Sequence, residues 1–303
     1  MTQRSLALAV ALLVCSVGCG RTAQPASTAA PPPATAPTEA SVASADGVSI
    51  HYVAEGRGRV VVLVHCLDCN LHYWDGVAAD LARDHRVIRL DLAGNGRSGA
   101  NRKTWSIENF VSDIRAVLNA TGVDRFTLVG HSMSGTIALE AARQLGERVT
   151  GVVPIDSVLD VDAHLPTELR EKVLADLHAD YRGFIEKQLP SLLPPNPDPK
   201  VVARVEADAL AGEPARTAAI LESLFTYRED LALEGLAMPI VAIAADRRPV
   251  ALDHNRAHAP QFDARVLKDT SHWLMLDKPT EFQRTLREVV ESIELGKARR
   301  RPI

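Results

Sequence analysis

Five short runs dominated by valine and isoleucine most constrain the fold: Val60–Val64, Val87–Leu90, Phe126–Val129, Val149–Ile155 and Ile240–Ala244. None shows the polar alternation of a strand with one wet face, so each reads as a strand covered on both sides. Arg265–Leu267 reads as a sixth. Between them lie segments of helical period. Ile107, Phe110, Val111, Ile114, Val117 and Leu118 form one apolar stripe, with Ser106 placed to cap its start and Gly122 to end it. Strands alternating with helices predict an α/β fold, a mostly parallel, doubly wound sheet with helices on both faces.

Between Ile155 and Ile240 no strand is evident. Glu168–Leu189, Val201–Ala211 and Arg216–Tyr227 read as helices, and Pro194-Pro195-Asn196-Pro197-Asp198-Pro199 separates the first two. A helical insertion over about 159–234 would lie above the C-terminal strand edge, where ligands bind in such sheets, and is a candidate lid. Leu165, Leu177, Phe184, Leu224 and Phe225 within it could face either core or cavity.

The N-terminus has a different character. Arg4, an apolar run from Leu6 to Val14 and Ser16-Val17-Gly18-Cys19 follow the order of a secretory signal peptide. The run rises about 14 Å as a helix, roughly half a bilayer's hydrocarbon core, so it is too short to span one. Residues 1–19 resemble a bacterial lipoprotein signal ending at Cys19, although Ser16 stands where leucine is usual. Residues 20–45 are rich in Ala, Pro, Thr and Ser and predict a disordered linker, leaving 46–303 as the folded domain. The expected location is the bacterial cell envelope, with the membrane touched only through a lipid on Cys19. The alternatives are a periplasmic or secreted form and, less favoured, a cytoplasmic protein. A net charge of −4 provides no field for nucleic acid, and the basic cluster Lys297, Arg299, Arg300 and Arg301 reads as a solvated tail. Nothing in the sequence specifies an oligomeric state.

Gly130-His131-Ser132-Met133-Ser134-Gly135 joins a strand to a helix. A serine on so sharp a turn needs small residues two places to either side, and Gly130 and Ser134 satisfy this. The turn lifts the Ser132 hydroxyl out of the sheet and aims the Met133 N–H at the same space. With this motif, residues 46–303 resemble the α/β-hydrolase superfamily, in its serine esterase and lipase-like branch. His65-Cys66 stands where the family commonly has His-Gly, and Asp91-Leu92-Ala93-Gly94-Asn95-Gly96-Arg97-Ser98 resembles its D-x-x-G-x-G-x-S turn, with Asn95 where His is frequent. The resemblance implies Ser132 as nucleophile, an oxyanion hole from the N–H groups of Met133 and Leu67, and His272, in Thr270-Ser271-His272-Trp273, as general base. His65 and His131 are expected to buttress loops.

The acid is open. Relatives commonly carry it after the strand equivalent to Ile240–Ala244, but Ala245-Asp246-Arg247-Arg248-Pro249 places Arg248 there, and a guanidinium accepts no hydrogen bond. Asp156, ending the preceding strand, is the favoured candidate and Asp246 the second; loss of the acid is the third possibility. The resemblance implies a Ser-His-Asp hydrolase acting on a small-molecule, ester-like substrate through an acyl-enzyme, with no metal or other cofactor. The departures at Cys66, Asn95 and Arg248 also suit a non-catalytic binding or scaffold lipoprotein. Cys66 and Cys69 read most simply as two buried thiols. A local disulfide is the alternative in an exported protein, and a zinc site lacks its second ligand pair.

Overall fold

A computed structural model describes residues 36–296. The signal and Cys19, the linker as far as residue 35 and the basic tail lie outside the described residues. Eight strands form one sheet: β1 Thr38–Ala43, β2 Ser49–Gly56, β3 Arg59–Val64, β4 His85–Leu90, β5 Phe126–His131, β6 Val149–Ile155, β7 Ile240–Ala245 and β8 Phe262–Leu267. Their order is β1-β2-β4-β3-β5-β6-β7-β8. The β1–β2 and β2–β4 pairs are antiparallel, and the other pairs are parallel.

Two findings correct the sequence reading. Thr38–Ala43 falls inside the expected linker, yet it pairs along its length with Ser49–Ala54. The sheet therefore begins before residue 46. Its burial alternates between exposed and half-buried, the mark of an edge strand that needs little apolar content. Strand β2 had no counterpart in the sequence reading, because His51 and Glu55 interrupt its apolar run.

Helices α1 Asp75–Leu81, α2 Ile107–Ala120 and α3 Met133–Leu145 pack between the earlier strands, and α4 Thr167–Ala179, α5 Tyr181–Leu192, α6 Pro199–Leu210, α7 Pro214–Thr226 and α8 Glu229–Leu233 make up the insertion. Helices α9 Leu252–His258, α10 Leu274–Asp277 and α11 Pro279–Glu294 complete the chain. Among the described residues no helix is long and apolar enough to cross a membrane. Ser106 Oγ caps α2 by accepting from Asn109 N–H at 3.3 Å, and all six residues of the apolar stripe are buried. The single helix expected over Glu168–Leu189 is two. Asp180 leaves helical geometry and its carboxylate accepts from Gly183 N–H at 2.9 Å, starting α5 afresh.

Two apolar layers sandwich the sheet. One is built around Phe110, Phe126 and Leu128, the other around Trp74, Phe282 and Leu286. Phe110 is fully buried, so Phe110→Ala should cost about 3–5 kcal/mol through lost transfer energy and the cavity left behind. Urea unfolding would check this, and a cost below about 1 kcal/mol would contradict the packing described.

Candidate active site

Every sequence-predicted site residue within the described chain lies at or just beyond the C-terminal ends of the parallel strands. Ser132 follows β5 directly and caps α3 with φ +56°, a left-handed conformation rare for a side chain larger than glycine. The neighbouring strand holds this strained turn, because Ser132 N–H donates to Ile155 C=O at 2.9 Å. Gly130 is required here, since a Cβ would overlap the Ser134 carbonyl; a Cβ on Gly135 would strike Ser157. Met133 begins α3, so its N–H belongs to the unsatisfied first turn of a helix.

Asp156 ends β6, also at positive φ (+44°), where its N–H donates to Ile243 C=O at 2.8 Å. Its Oδ1 accepts from Ala245 N–H at 3.1 Å, and its Oδ2 accepts from His272 Nδ1–H at 2.7 Å. Burial raises the Asp156 carboxyl, but the hydrogen bond and charge of His272, the Ala245 N–H and the Arg248 charge outweigh it and hold the group below the usual carboxylate range. Asp246 is elsewhere: it is exposed and accepts from Asp269 N–H at 3.1 Å. The structure therefore brings Asp156, and not Asp246, to His272. Arg248 lines the cavity that holds Ser132, Asp156 and His272.

The two buttressing histidines take clear places. His65 Nε2 accepts from Leu92 N–H at 2.9 Å, which puts the ring proton on Nδ1, where it donates to Cys66 C=O at 2.7 Å. His131 Nε2–H donates to His272 C=O at 2.7 Å, and its ring lies 4.8 Å from the His272 ring. Trp273 meets that imidazole edge-on at 5.3 Å, so both neighbours limit its orientation. Burial, aided by the His272 charge, pushes His131 down to about 3, so it stays neutral beside the candidate base.

Cys66 and Cys69 are joined by a disulfide with their Cα atoms 5.2 Å apart, which corrects the reading as two thiols. A pair with two residues between its members satisfies either state on sequence alone; the tight turn in which Cys69 N–H donates to Cys66 C=O at 3.2 Å brings the sulfurs together. Leu67 sits within this closed loop. The Asp91 turn is architectural: its carboxylate accepts from Leu71 and Arg97 N–H at 2.7 and 2.9 Å, and a Cβ on Gly96 would overlap it.

Two cavities meet at Ser132, His272 and Phe225. One, of about 490 Å³, is lined on its polar side by Thr136, Asp156, His164, Glu229 and Arg248. The other, of about 360 Å³, is lined mainly by apolar side chains, among them Leu67, Val173, Phe184, Leu221 and Trp273. Leu165 and Leu224 face the first and Phe184 the second, whereas Leu177 is wholly buried. Asp160, which lines the larger cavity, and Asp162 and His254 bring potential ligand atoms within 4.8 Å of one another, but His254 already pairs with Asp160 at 2.9 Å.

The neutrality of His131 has a measurable consequence. An unfolded chain protonates this imidazole near about 6.5, whereas the folded one resists to about 3. At this residue the unfolded state thus binds more protons in that window, so the contribution of His131 to stability falls as pH drops below about 6.5. His131→Gln should reduce the slope of unfolding free energy between pH 6 and 4 by up to about 1.4 kcal/mol per pH unit. An unchanged slope in denaturant titrations would contradict a neutral, buried His131.

The family model described as alpha/beta hydrolase fold matches residues 59–279. Among curated proteins, an uncharacterized protein of Mycobacterium bovis is 32% identical over 102 residues, 34% of this chain and 30% of that protein, so the match spans under a third of the relative. The putative carbamate hydrolase RutD of Pseudomonas savastanoi pv. phaseolicola is 27% identical over 250 residues, covering 78% of this chain and 95% of its own. Among solved structures, Est816, described as an N-acyl homoserine lactone degrading enzyme, is similar with a TM-score of 0.74 and 26% identity, over 83% of this chain and 100% of its own. The bromoperoxidase from Bacillus anthracis is similar in fold, with a TM-score of 0.75 at 20% identity over 84% of this chain and 100% of its own. With the family pattern running through nearly all of the parallel sheet, the chain belongs to the α/β-hydrolase fold family.

Proposed function

We propose that this protein is a serine hydrolase that cleaves a carboxylic ester or related acyl bond through Ser132, His272 and Asp156. The observation that carries the reading is the 2.7 Å hydrogen bond from His272 Nδ1 to Asp156, in a cavity that Ser132 also lines. With Nδ1 protonated and held, Nε2 keeps a free lone pair and is the basic atom. It removes the Ser132 proton as Oγ attacks the substrate carbonyl, and the carbonyl electron pair moves onto oxygen. The N–H groups of Met133 and Leu67 receive that oxyanion, each worth roughly 3–4 kcal/mol by comparison with a similar donor. His272 then delivers its proton to the departing alcohol, leaving an acyl-enzyme, and activates water to release the acid. Asp156 stays ionised and stabilises the imidazolium.

The two cavities suggest a substrate with unlike ends, an apolar chain in the smaller and a polar or acidic group toward Arg248 in the larger. The names of Est816 and RutD, one a lactone-degrading enzyme and the other a putative carbamate hydrolase, keep lactones and carbamates within the range of acyl bonds. Helices α4–α8 supply the walls of both cavities and act as the lid in this reading. Export and lipid attachment at Cys19 belong to the same proposal, and the mass of the mature N-terminal peptide tests them.

A fluorophosphonate probe should label Ser132, and Ser132→Ala should abolish the label. No labelling, under conditions where a known serine hydrolase reacts, would favour a binding protein instead. Asp156→Asn should lower kcat about 10⁴-fold, the loss seen when the equivalent acid of a comparable triad is made an amide. Asp246→Asn should change it less than about threefold, because that carboxylate holds only a loop. Equal effects of the two substitutions would remove Asp156 from its role.

A further inference from the structure

Asp68 occupies the centre of the disulfide-closed loop, is 8% exposed, and has φ +51°, a conformation aspartate tolerates better than most residues. Its carboxylate points away from the sheet and into the insertion. Thr217 Oγ1–H donates to Oδ2 at 2.9 Å; the Tyr181 hydroxyl, whose proton goes to Ala209 C=O at 2.7 Å, packs 3.4 Å from the same oxygen, and Arg216 Nη2 lies 3.4 Å from Oδ1. Tyr181 opens α5, and Arg216 and Thr217 lie in the first turn of α7. Gly212, between α6 and α7, lets the backbone pass: a Cβ there would lie 2.9 Å from the Asp68 carboxylate and would overlap the Tyr181 hydroxyl. A buried carboxylate is costly without such partners, and these come from two helices of the insertion.

The other side of the same loop is tied to the catalytic half of the molecule. Its Cys66 carbonyl is held by His65 Nδ1–H and Cys69 N–H, and Ser134 Oγ donates to the His65 carbonyl. In a trans peptide the C=O and the following N–H point in opposite directions. Holding the Cys66 carbonyl on one side therefore fixes the direction of the Leu67 N–H on the other. Leu67 is flanked by this anchor and by Asp68, and it lines the apolar cavity with Ser132.

We propose that Asp68 is a positioning residue that pins α5 and α7 to the Cys66–Cys69 loop and so holds the Leu67 N–H in register with Ser132. The inference rests on the serine-hydrolase reading and deepens it. The lid and the oxyanion donor become one mechanical unit, so that a shift of the helices moves the N–H that receives charge.

The test is Asp68→Asn in the full chain, assayed with a short-chain activated ester that leaves most of the apolar cavity unfilled. The expected result is a 10- to 100-fold fall in kcat with KM within about threefold, and a parallel fall in the rate of fluorophosphonate labelling. Thr217→Val, which removes one hydroxyl, should produce a smaller loss in the same direction. The double variant should be little worse than Asp68→Asn alone, because Asp68→Asn weakens and Thr217→Val removes the same contact. If Asp68→Asn does not fold, the Thr217→Val loss decides the matter. A folded Asp68→Asn with wild-type kcat, an effect confined to KM, or additive losses in the double variant would overturn the inference. Failure of the wild type to label would instead overturn the serine reading beneath it.

Discussion

The hydrogen bond between His272 and Asp156 joins residues 116 positions apart, and the arrangement at the strand ends depends on it. It exists because β6 and β7 are in register: Asp156 N–H reaches Ile243 C=O, and Ala245 N–H returns to the Asp156 carboxylate. The sheet thus fixes the Asp156 carboxylate at the end of β6, and the final loop delivers the His272 imidazole to it. In the proposed mechanism such a placement frees the turn after β7 from chemical duty. Arg248 can occupy the position where relatives commonly keep the acid, and it contributes positive charge near Asp156.

The electrostatics of the site follow from burial and tautomer. His65 and His131 lie close to the Ser132 turn, and a positive charge on either would oppose a proton arriving on His272 in the proposed mechanism. Burial depresses both and outweighs their hydrogen bonds to backbone carbonyls, which by themselves would favour the protonated rings. Of these three imidazoles it is His272 that hydrogen-bonds to a carboxylate, and in the proposed reaction it is the one that takes up charge. Strained backbone at Ser132, Asp156 and Asp68 is confined to the strand ends and the loop beside them, where sheet hydrogen bonds or buried side-chain contacts can hold it.

Much of this was legible in the residues, for identifiable reasons. The parallel strands are buried on both faces and so carry unbroken Val and Ile, while the serine turn is a local motif whose small neighbours are dictated by crowding. What the residues left open depends on long-range contacts. Edge strand β1 buries little and resembles linker; β2 carries polar residues within a buried strand. Asp156 and Asp246 both end a strand-like run, and only sheet register separates them. A lone Asp180 carboxylate divides one helical pattern into two helices. The disulfide depends on a turn that no spacing rule specifies, and Asp68 has no motif around it, since its partners lie more than a hundred residues away.

The central claim is that a hydroxyl on residue 132 carries the acyl group between two half-reactions. Rapid-quench kinetics with an activated ester, combined with intact-protein and peptide mass spectrometry, tests it directly. The account predicts a burst of one leaving group per protein molecule and a transient mass increase, equal to the acyl group, on the peptide containing Ser132. Hydrolysis with no burst and no adduct under conditions where deacylation is slowed, or an adduct on another residue, would contradict it.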